Sequence, residues 1–259
     1  MNDVGSGSGR YRIEALARGL AVLRAFDGGA MKVTEIAQKT GMQVATAFRV
    51  VATLEEFEFL ERLPDGSLHP GVAALRLGNA ASRSSSLLEA SERPLRRLAD
   101  ATGETVNLAV LTQDRVLYLA RIRNADLVTA NVQVGSTLPA PYTSIGKLLL
   151  SYLEPDEVRT RLGPDSFPDR AGPNAIRDID ALLVHLQEIR SQGYAIQNEE
   201  LAAGLRSISV AVVPGNRAPV AALNIAVAGS GGNTDALVSN YLEPLRATAA
   251  EIAMRLDES

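Results

Sequence analysis

Cysteine is absent from the 259 residues. Without thiols there is no disulfide framework and no thiolate metal site, a composition suited to a reducing cytosol. Histidine is scarce as well. His69 and His185 alone give little material for a His-centred metal site or a catalytic triad. No apolar run approaches the roughly 18 residues of a membrane span, and the start lacks a charged-then-apolar signal pattern. A cytoplasmic protein with no membrane partner is expected. Phosphate-binding loops are missing too. Gly146-Lys147 lacks the following Ser/Thr and the glycine five residues earlier. The glycines around Gly5 and from Gly229 to Gly232 do not lie between a strand and a helix, so they read as loops and no cofactor is expected.

A basic excess is also lacking, since the net charge is −4. Residues 1–80 hold nine Lys+Arg against nine Asp+Glu, so the whole deficit falls in the remainder, with 26 − 9 = 17 basic and 30 − 9 = 21 acidic residues. That balance excludes an indiscriminate nucleic-acid coat. A neutral head on an acidic body needs specific base contacts and two heads acting together to hold DNA.

What is present is concentrated in residues 34–69. Thr34-Glu35-Ile36-Ala37-Gln38-Lys39-Thr40 reads as a short helix, Gly41 as a turn, and Gln43 to Leu54 as a second helix. Pro64-Asp65-Gly66 then supplies turn chemistry between two short strands. This is the element order of a winged helix-turn-helix; a helical hairpin packed on a neighbouring domain is the competing reading. On the second helix Ala47, Val50, Val51 and Leu54 share one face at i, i+3, i+4, i+7 spacing. Ala45, Thr46, Arg49 and Thr53 point the other way, and Gln43 stands at the exposed start. Small and hydrogen-bonding side chains with one arginine suit a helix whose N-terminal half enters the major groove. Arg49 is the first candidate for a base or phosphate contact, followed by Gln43, Ala45 and Thr46.

The rest of the chain has a different rhythm. Residues 1–10 read as a flexible tail and 11–71 as the head, whose first helix covers about 12–26 with Leu16, Leu20, Leu23 and Phe26 inward. Residues 72–93 read as a linker helix, or equally a plain surface helix. From 94 to 259 strand-like runs at 105–111, 116–123, 127–134, 194–201, 207–213 and 220–228 alternate with helices near 143–150, 178–193 and 235–256. Clustered strands with helices at the ends indicate an α+β domain on a largely antiparallel sheet.

With both halves in view, the chain resembles the IclR family of bacterial transcriptional regulators. The likeness rests on Ala17-Arg18-Gly19-Leu20-Ala21-Val22-Leu23, the helix-turn-helix, Thr102-Gly103-Glu104-Thr105-Val106-Asn107 and Leu138-Pro139 with Thr143-Ser144-Ile145-Gly146-Lys147. Gly193-Tyr194-Ala195, Asn198-Glu199-Glu200-Leu201 and Gly204-Leu205-Arg206-Ser207-Ile208-Ser209-Val210 extend it. The resemblance implies a GAF-like C-terminal domain that binds a small organic acid effector, and a homodimer or homotetramer on palindromic double-stranded operator DNA. Leu138-Pro139-Ala140 with Ser144, and Gly204-Leu205-Arg206-Ser207, look most like the branch controlling aromatic-acid catabolism (protocatechuate, 4-hydroxybenzoate and related acids).

Carried over by motif, Arg18 and Lys32 would touch the DNA backbone. The effector pocket would draw on Leu127, Ala130, Leu138, Ser144, Ile145, Gln197, Ser207, Asn224 and Ala226. Backbone N–H groups at Ser144 and Ile145, on a helix start, would hold a carboxylate. Ser207 and Asn224 would add neutral hydrogen bonds, and Leu127, Leu138 and Ile145 apolar contact to a ring. Many family members have Cys in place of Ser207 and an acid in place of Gln197, so effectors cannot be copied from relatives. The competing class is an acyl-transfer or hydrolytic enzyme using Ser207 or Ser209, for which the sequence offers no evident base.

Overall fold

The structure, a computed structural model, describes residues 12–26, 29–122, 132–215, 217–228 and 234–258. The chain divides into two compact units, Met1–Ser84 and Ser85–Ser259. In the first, α1 (Glu14–Arg24), α2 (Val33–Thr40) and α3 (Val44–Glu56) precede a hairpin of β1 (Leu60–Arg62) and β2 (Leu68–Pro70), then α4 (Val72–Arg83). Gly41 ends α2 in the left-handed region, and the Met42 N–H returns to the Ala37 carbonyl at 3.0 Å. Extended Gln43 then starts α3. In the hairpin turn, Asp65 accepts from the Ser67 hydroxyl (2.6 Å) and N–H (3.0 Å), which holds its carboxyl below the ordinary value. Met31 adds a single bridge to Leu68, joining the start of α2 to the wing.

The two faces of α3 divide as the spacing predicts. Ala47 and Val51 are fully buried, and half-buried Val50 and Leu54 pack beside them. The first helix departs from expectation. Leu16 (58% exposed) and Leu20 (51%) face outward, whereas Val22 is fully buried and only Leu23 and Phe26 of the expected set join the core. A core of Val22, Met31, Ile36, Val51, Leu60 and Leu68 is too small to cover α1 along its length, so only its C-terminal half is enclosed. The stretch expected as one linker helix is two. The break falls at Ser84-Ser85, where the Ser84 hydroxyl turns back to Ala80 (3.1 Å) and the Ser85 hydroxyl caps α5 (Ser86–Thr102) through Leu88 N–H (3.3 Å).

The second unit is built on six strands: β3 (Thr105–Thr112), β4 (Arg115–Ile122), β5 (Thr137–Pro139), β6 (Ala195–Asn198), β7 (Leu205–Val212) and β8 (Ala221–Ala228). They form one antiparallel sheet in the order β5-β4-β3-β8-β7-β6. Alternation sends Val106, Leu108, Ile208, Val210, Leu223 and Ile225 to one face, against α5 and the long α9 (Thr234–Asp257). Ala109, Val116 and Ala222 go to the other, against α6 (Ser144–Leu150), α7 (Pro155–Arg161) and α8 (Ile179–Gln192). Asp178 caps α8 and Gly193 closes it in the left-handed region.

Two elements carry too little pattern to be anticipated: three-residue β5 and two-turn α7, which buries only Val158. Most of the strand expected at 127–134 lies outside the described residues. Among these, no helix is long and apolar enough to cross a membrane.

Two glycines give opposite expectations for stability. Gly78 in α4 has open space where a Cβ would sit, so Gly78→Ala should stabilise by about 0.5–1 kcal/mol through the entropy lost from the unfolded chain. At Gly146 in α6 a Cβ would stand 2.2 Å from the Ala140 carbonyl oxygen. Gly146→Ala should therefore destabilise the second unit by about 1–3 kcal/mol. Urea denaturation of the two variants beside the parent measures both signs.

Candidate functional site

The head offers α3 as an outward-facing element. Gln43, Ala45 and Arg49 are exposed and Thr46 is half-buried. Arg18, Gln43 and Thr46 border one groove between α1 and the turn into α3, while Arg18, Thr46 and Arg49 border a second between α1 and α3. Arg18 lies 3.6 Å from Glu14 one turn earlier, and Arg49 makes no ion pair with a described residue. Lys32 stands apart from both grooves. It precedes α2, and its N–H donates to the Glu35 carboxylate at 2.6 Å. The structure thus brings four of the six expected residues, Arg18, Gln43, Thr46 and Arg49, to the edges of these grooves, while Ala45 is exposed on α3 outside them. Val44 and Phe48, which sequence spacing passed over, are also exposed on α3.

The second unit holds a small cavity over the α6 face of the sheet. It is lined by Asn107, Tyr118, Arg121, Val132, Leu138, Tyr142, Thr143, Gln197, Leu201, Leu205, Ser207, Asn224 and Ala226. Strand register assembles its floor. Gln197, Ser207, Ala226 and Thr105 stand side by side across four strands, and Ser209, Asn224, Asn107 and Arg121 form the next row. A chain of hydrogen bonds links the rows to α6. Arg121 Nη1 donates to Asn107 Oδ1 (3.1 Å), Asn107 Nδ2 to Asn224 Oδ1 (2.8 Å), and Asn224 Nδ2 to Ser144 Oγ (3.3 Å). The Ser144 and Ser207 hydroxyls meet at 2.7 Å.

Gln197 and Tyr142, both in the lining, have polar atoms without a partner among the described residues. Gln197 is 1% exposed and neither amide atom is paired with a described residue, nor is the enclosed Tyr142 hydroxyl. Such orphans are rare in folded proteins. Burial pushes the Tyr142 phenol above its ordinary value and Tyr118 up to about 12, so both are neutral hydroxyls near pH 7. The described lining contains one cation, Arg121, and no carboxylate.

Of the residues expected at the pocket, Leu138, Gln197, Ser207, Asn224 and Ala226 line this cavity, and Ser144 supports it through Ser207 and Asn224. Ile145 does not line it. Its side chain is fully buried in the core formed with Leu148, Val158 and Leu182. The cause is helical geometry: with Ser144 turned to the sheet, the next residue points about 100° away. Leu127 and Ala130 lie outside the described residues. Asn107, Arg121 and Tyr142 were not anticipated; the first two face each other only through the β3–β4 register, which no local spacing reveals.

Neither serine has a base among the described residues. Ser207 meets Ser144, and Ser209 donates to the Ala195 carbonyl (3.4 Å). The nearest titratable cluster, Lys147 with Glu200 and His185, is spent on itself. Lys147 is fully enclosed, paired with Glu200 and 3.4 Å from His185 Nε2. Burial pulls its ammonium below the ordinary lysine value against the opposing pull of Glu200.

Comparison with known proteins bears on both units. Residues 15–64 match the IclR helix-turn-helix domain, and residues 79–254 match the C-terminal domain of bacterial transcriptional regulator IclR. The Pca regulon regulatory protein of Pseudomonas putida is 32% identical over 248 residues, covering 93% of this chain and 84% of that protein. The HTH-type transcriptional regulator BhcR of Paracoccus denitrificans is 33% identical over 253 residues, 95% of this chain and 89% of its own. The crystal structure of an IclR homolog from Microbacterium hydrocarbonoxydans, complexed with 4-hydroxybenzoate, superposes with a TM-score of 0.73 at 27% identity, covering 95% of this chain and 100% of that one. These relatives are regulators rather than enzymes. The chain belongs to the IclR family of bacterial transcriptional regulators, a helix-turn-helix head followed by an effector-binding C-terminal domain.

Proposed function

We propose that this regulator is a cytoplasmic homodimer or homotetramer that binds a palindromic operator sequence-specifically through α3, and that an organic acid, an aromatic one, occupies the cavity and changes operator affinity. The observation that carries the effector reading is the cavity's polarity. One arginine, seven neutral amide or hydroxyl side chains (Asn107, Tyr118, Tyr142, Thr143, Gln197, Ser207, Asn224) and no acid in the described lining suit an anion. Leu138, Val132, Leu201 and Leu205 supply the apolar walls that a ring needs. The 4-hydroxybenzoate bound by the Microbacterium homolog and the Pca regulon regulator's likeness point to the same chemistry.

The cavity measures about 30 Å³, well below the roughly 300 Å³ at which small-molecule pockets begin. An aromatic acid therefore enters only as the walls part, which couples occupancy to conformation. Operator DNA must then alter effector affinity by the same factor that effector alters operator affinity. Pairing of heads is supported by apolar side chains left in solvent within the first unit: Ile13, Leu16 and Leu20 on α1, and Val72, Leu75 and Leu77 on α4. A second copy of the same surface would cover them, and two α3 helices would then meet two half-sites.

Two substitutions test the two halves. Arg49→Ala should lower preference for a selected duplex over a scrambled one by about 5- to 150-fold, the worth of one arginine–guanine pair, with oligomer size unchanged in light scattering. Retained preference would remove Arg49 from the reading face. Gln197→Leu should raise the melting temperature, because it deletes two enclosed polar atoms that bind nothing. The same variant should bind 4-hydroxybenzoate or its replacement from an acid panel more weakly in calorimetry. A stabilised variant with unchanged acid affinity would place the effector elsewhere.

A further inference from the structure

The outward face of α3 is not uniformly polar. Val44 is 52% exposed and Phe48 is 57% exposed, one turn apart at i, i+4, with exposed Ala52 one turn beyond. Exposed Ala45 lies beside this stripe, and Arg49 lies about 100° round from Phe48 on the same outward arc. The stripe starts at the border of the core face, where Val44 precedes Val51 by two turns, and runs through Phe48 toward the arc of Arg49. Exposed to water, it adds no stability to a fold that already buries Ala47 and Val51. Its occupant must match both the stripe and the charge beside it. The first turn of α3 has no acidic residue, and the adjoining edge carries Arg49 and Thr53. DNA fits, because the major groove presents one apolar group among its acceptors and donors, the thymine C5-methyl.

We propose that Val44 and Phe48 read thymine methyl groups in the major groove, so that operator choice depends on T·A pairs flanking the base pair met by Arg49. This rests on α3 being the reading helix. Phe48 is the principal reader, having the larger exposed surface, and Val44 at the first position of the helix extends the stripe toward the groove floor. The neutral head makes such contacts more important than in a basic protein, because non-specific phosphate attraction is weak and selection falls on the base edges.

The test begins with a duplex selected by the wild-type protein from a random pool. Each thymine is then replaced singly by deoxyuracil, which removes only the methyl, and binding is followed by fluorescence anisotropy at fixed salt. One or two positions per half-site should lose about fourfold in affinity, the worth of one buried carbon. Phe48→Ala should bind the thymine duplex more weakly and lose the uracil effect at one of those positions, whereas Phe48→Leu should keep it. A selected duplex indifferent to uracil at every thymine would overturn the proposal with wild-type protein alone, leaving Arg49 readout standing. Uracil sensitivity that persists unchanged in Phe48→Ala would overturn it as well. Failure to select any sequence would sink the reading helix itself together with the methyl contact.

Discussion

The enclosed ion pair between Lys147 and Glu200 is the constraint on which the effector domain's geometry depends. Lys147 lies one turn after Ser144 on α6, so a single helix face carries the pair and the serine that meets Ser207 and Asn224. Glu200 is used three times over. One carboxylate oxygen takes Lys147, the other accepts the Asn198 N–H at 3.1 Å, and its carbonyl accepts the Gly172 N–H at 2.8 Å. Arg206 from β7 binds the Asn198 side chain at 2.8 Å and pairs with Glu199. The turn after β6 is therefore tied to α6, to β7 and to the segment before α8. Removing one member of such a pair costs roughly 3–5 kcal/mol, because the other charge is left enclosed and unmatched.

That clamp explains why a polar cavity survives on a sheet face that otherwise packs as core. Further along the same face, Ala109, Val116 and Ala222 pack into an apolar cluster with residues of α6 and α8. Nearer β6, the cross-strand rows turn to Asn107, Asn224, Ser207 and Gln197, and α6 answers with Ser144 instead of a leucine. Asn107, Asn224, Ser144 and Ser207 satisfy one another. Gln197 does not share in that chain, although it stands directly opposite Ser207. Its neighbour Asn198 is held in the Glu200 and Arg206 network, which fixes the strand beside it.

The legible and the illegible parts of the sequence differ by the range of the interactions that decide them. Local signals sufficed for the α2–turn–α3 unit, where Gly41, Gln43 and the Ala47, Val50, Val51, Leu54 stripe lie within fourteen residues. They sufficed also for α8, bracketed by its Asp178 cap and Gly193. They failed for Leu16 and Leu20, since helical spacing reports an apolar arc and not whether the domain is large enough to cover it. Motif likeness brought five cavity residues together from four separate strands. Ile145 shares a motif with Ser144 but not a direction, and its side chain lies in the core instead of the lining. Arg121 stayed invisible because its partner, Asn107, is met only through the β3–β4 register with its bulge at Leu108 and Ala109.

The cavity's chemistry also limits what can regulate it. Arg121 stays charged throughout the physiological range. Tyr118, with its phenol raised to about 12, and Tyr142, raised in the same direction by burial, stay neutral there. The remaining polar wall consists of amides and hydroxyls, which do not titrate. The described lining therefore presents the same charge pattern from mildly acidic to mildly basic solution, and on the proposed reading binding of an organic acid would follow the ionisation of the acid itself, complete about two pH units above a carboxyl pKa near 4. The narrow walls would act differently. On the proposed reading affinity scales with the fraction of molecules in which the cavity is wide enough to bind, and an acid that enters would give Gln197 and Tyr142 partners that the described residues do not. On the same reading polarity would select against ligands that leave the amide and phenol unpaired. An acid that pairs them would gain differential affinity for the wider form, and that difference is the most it could transmit to the operator.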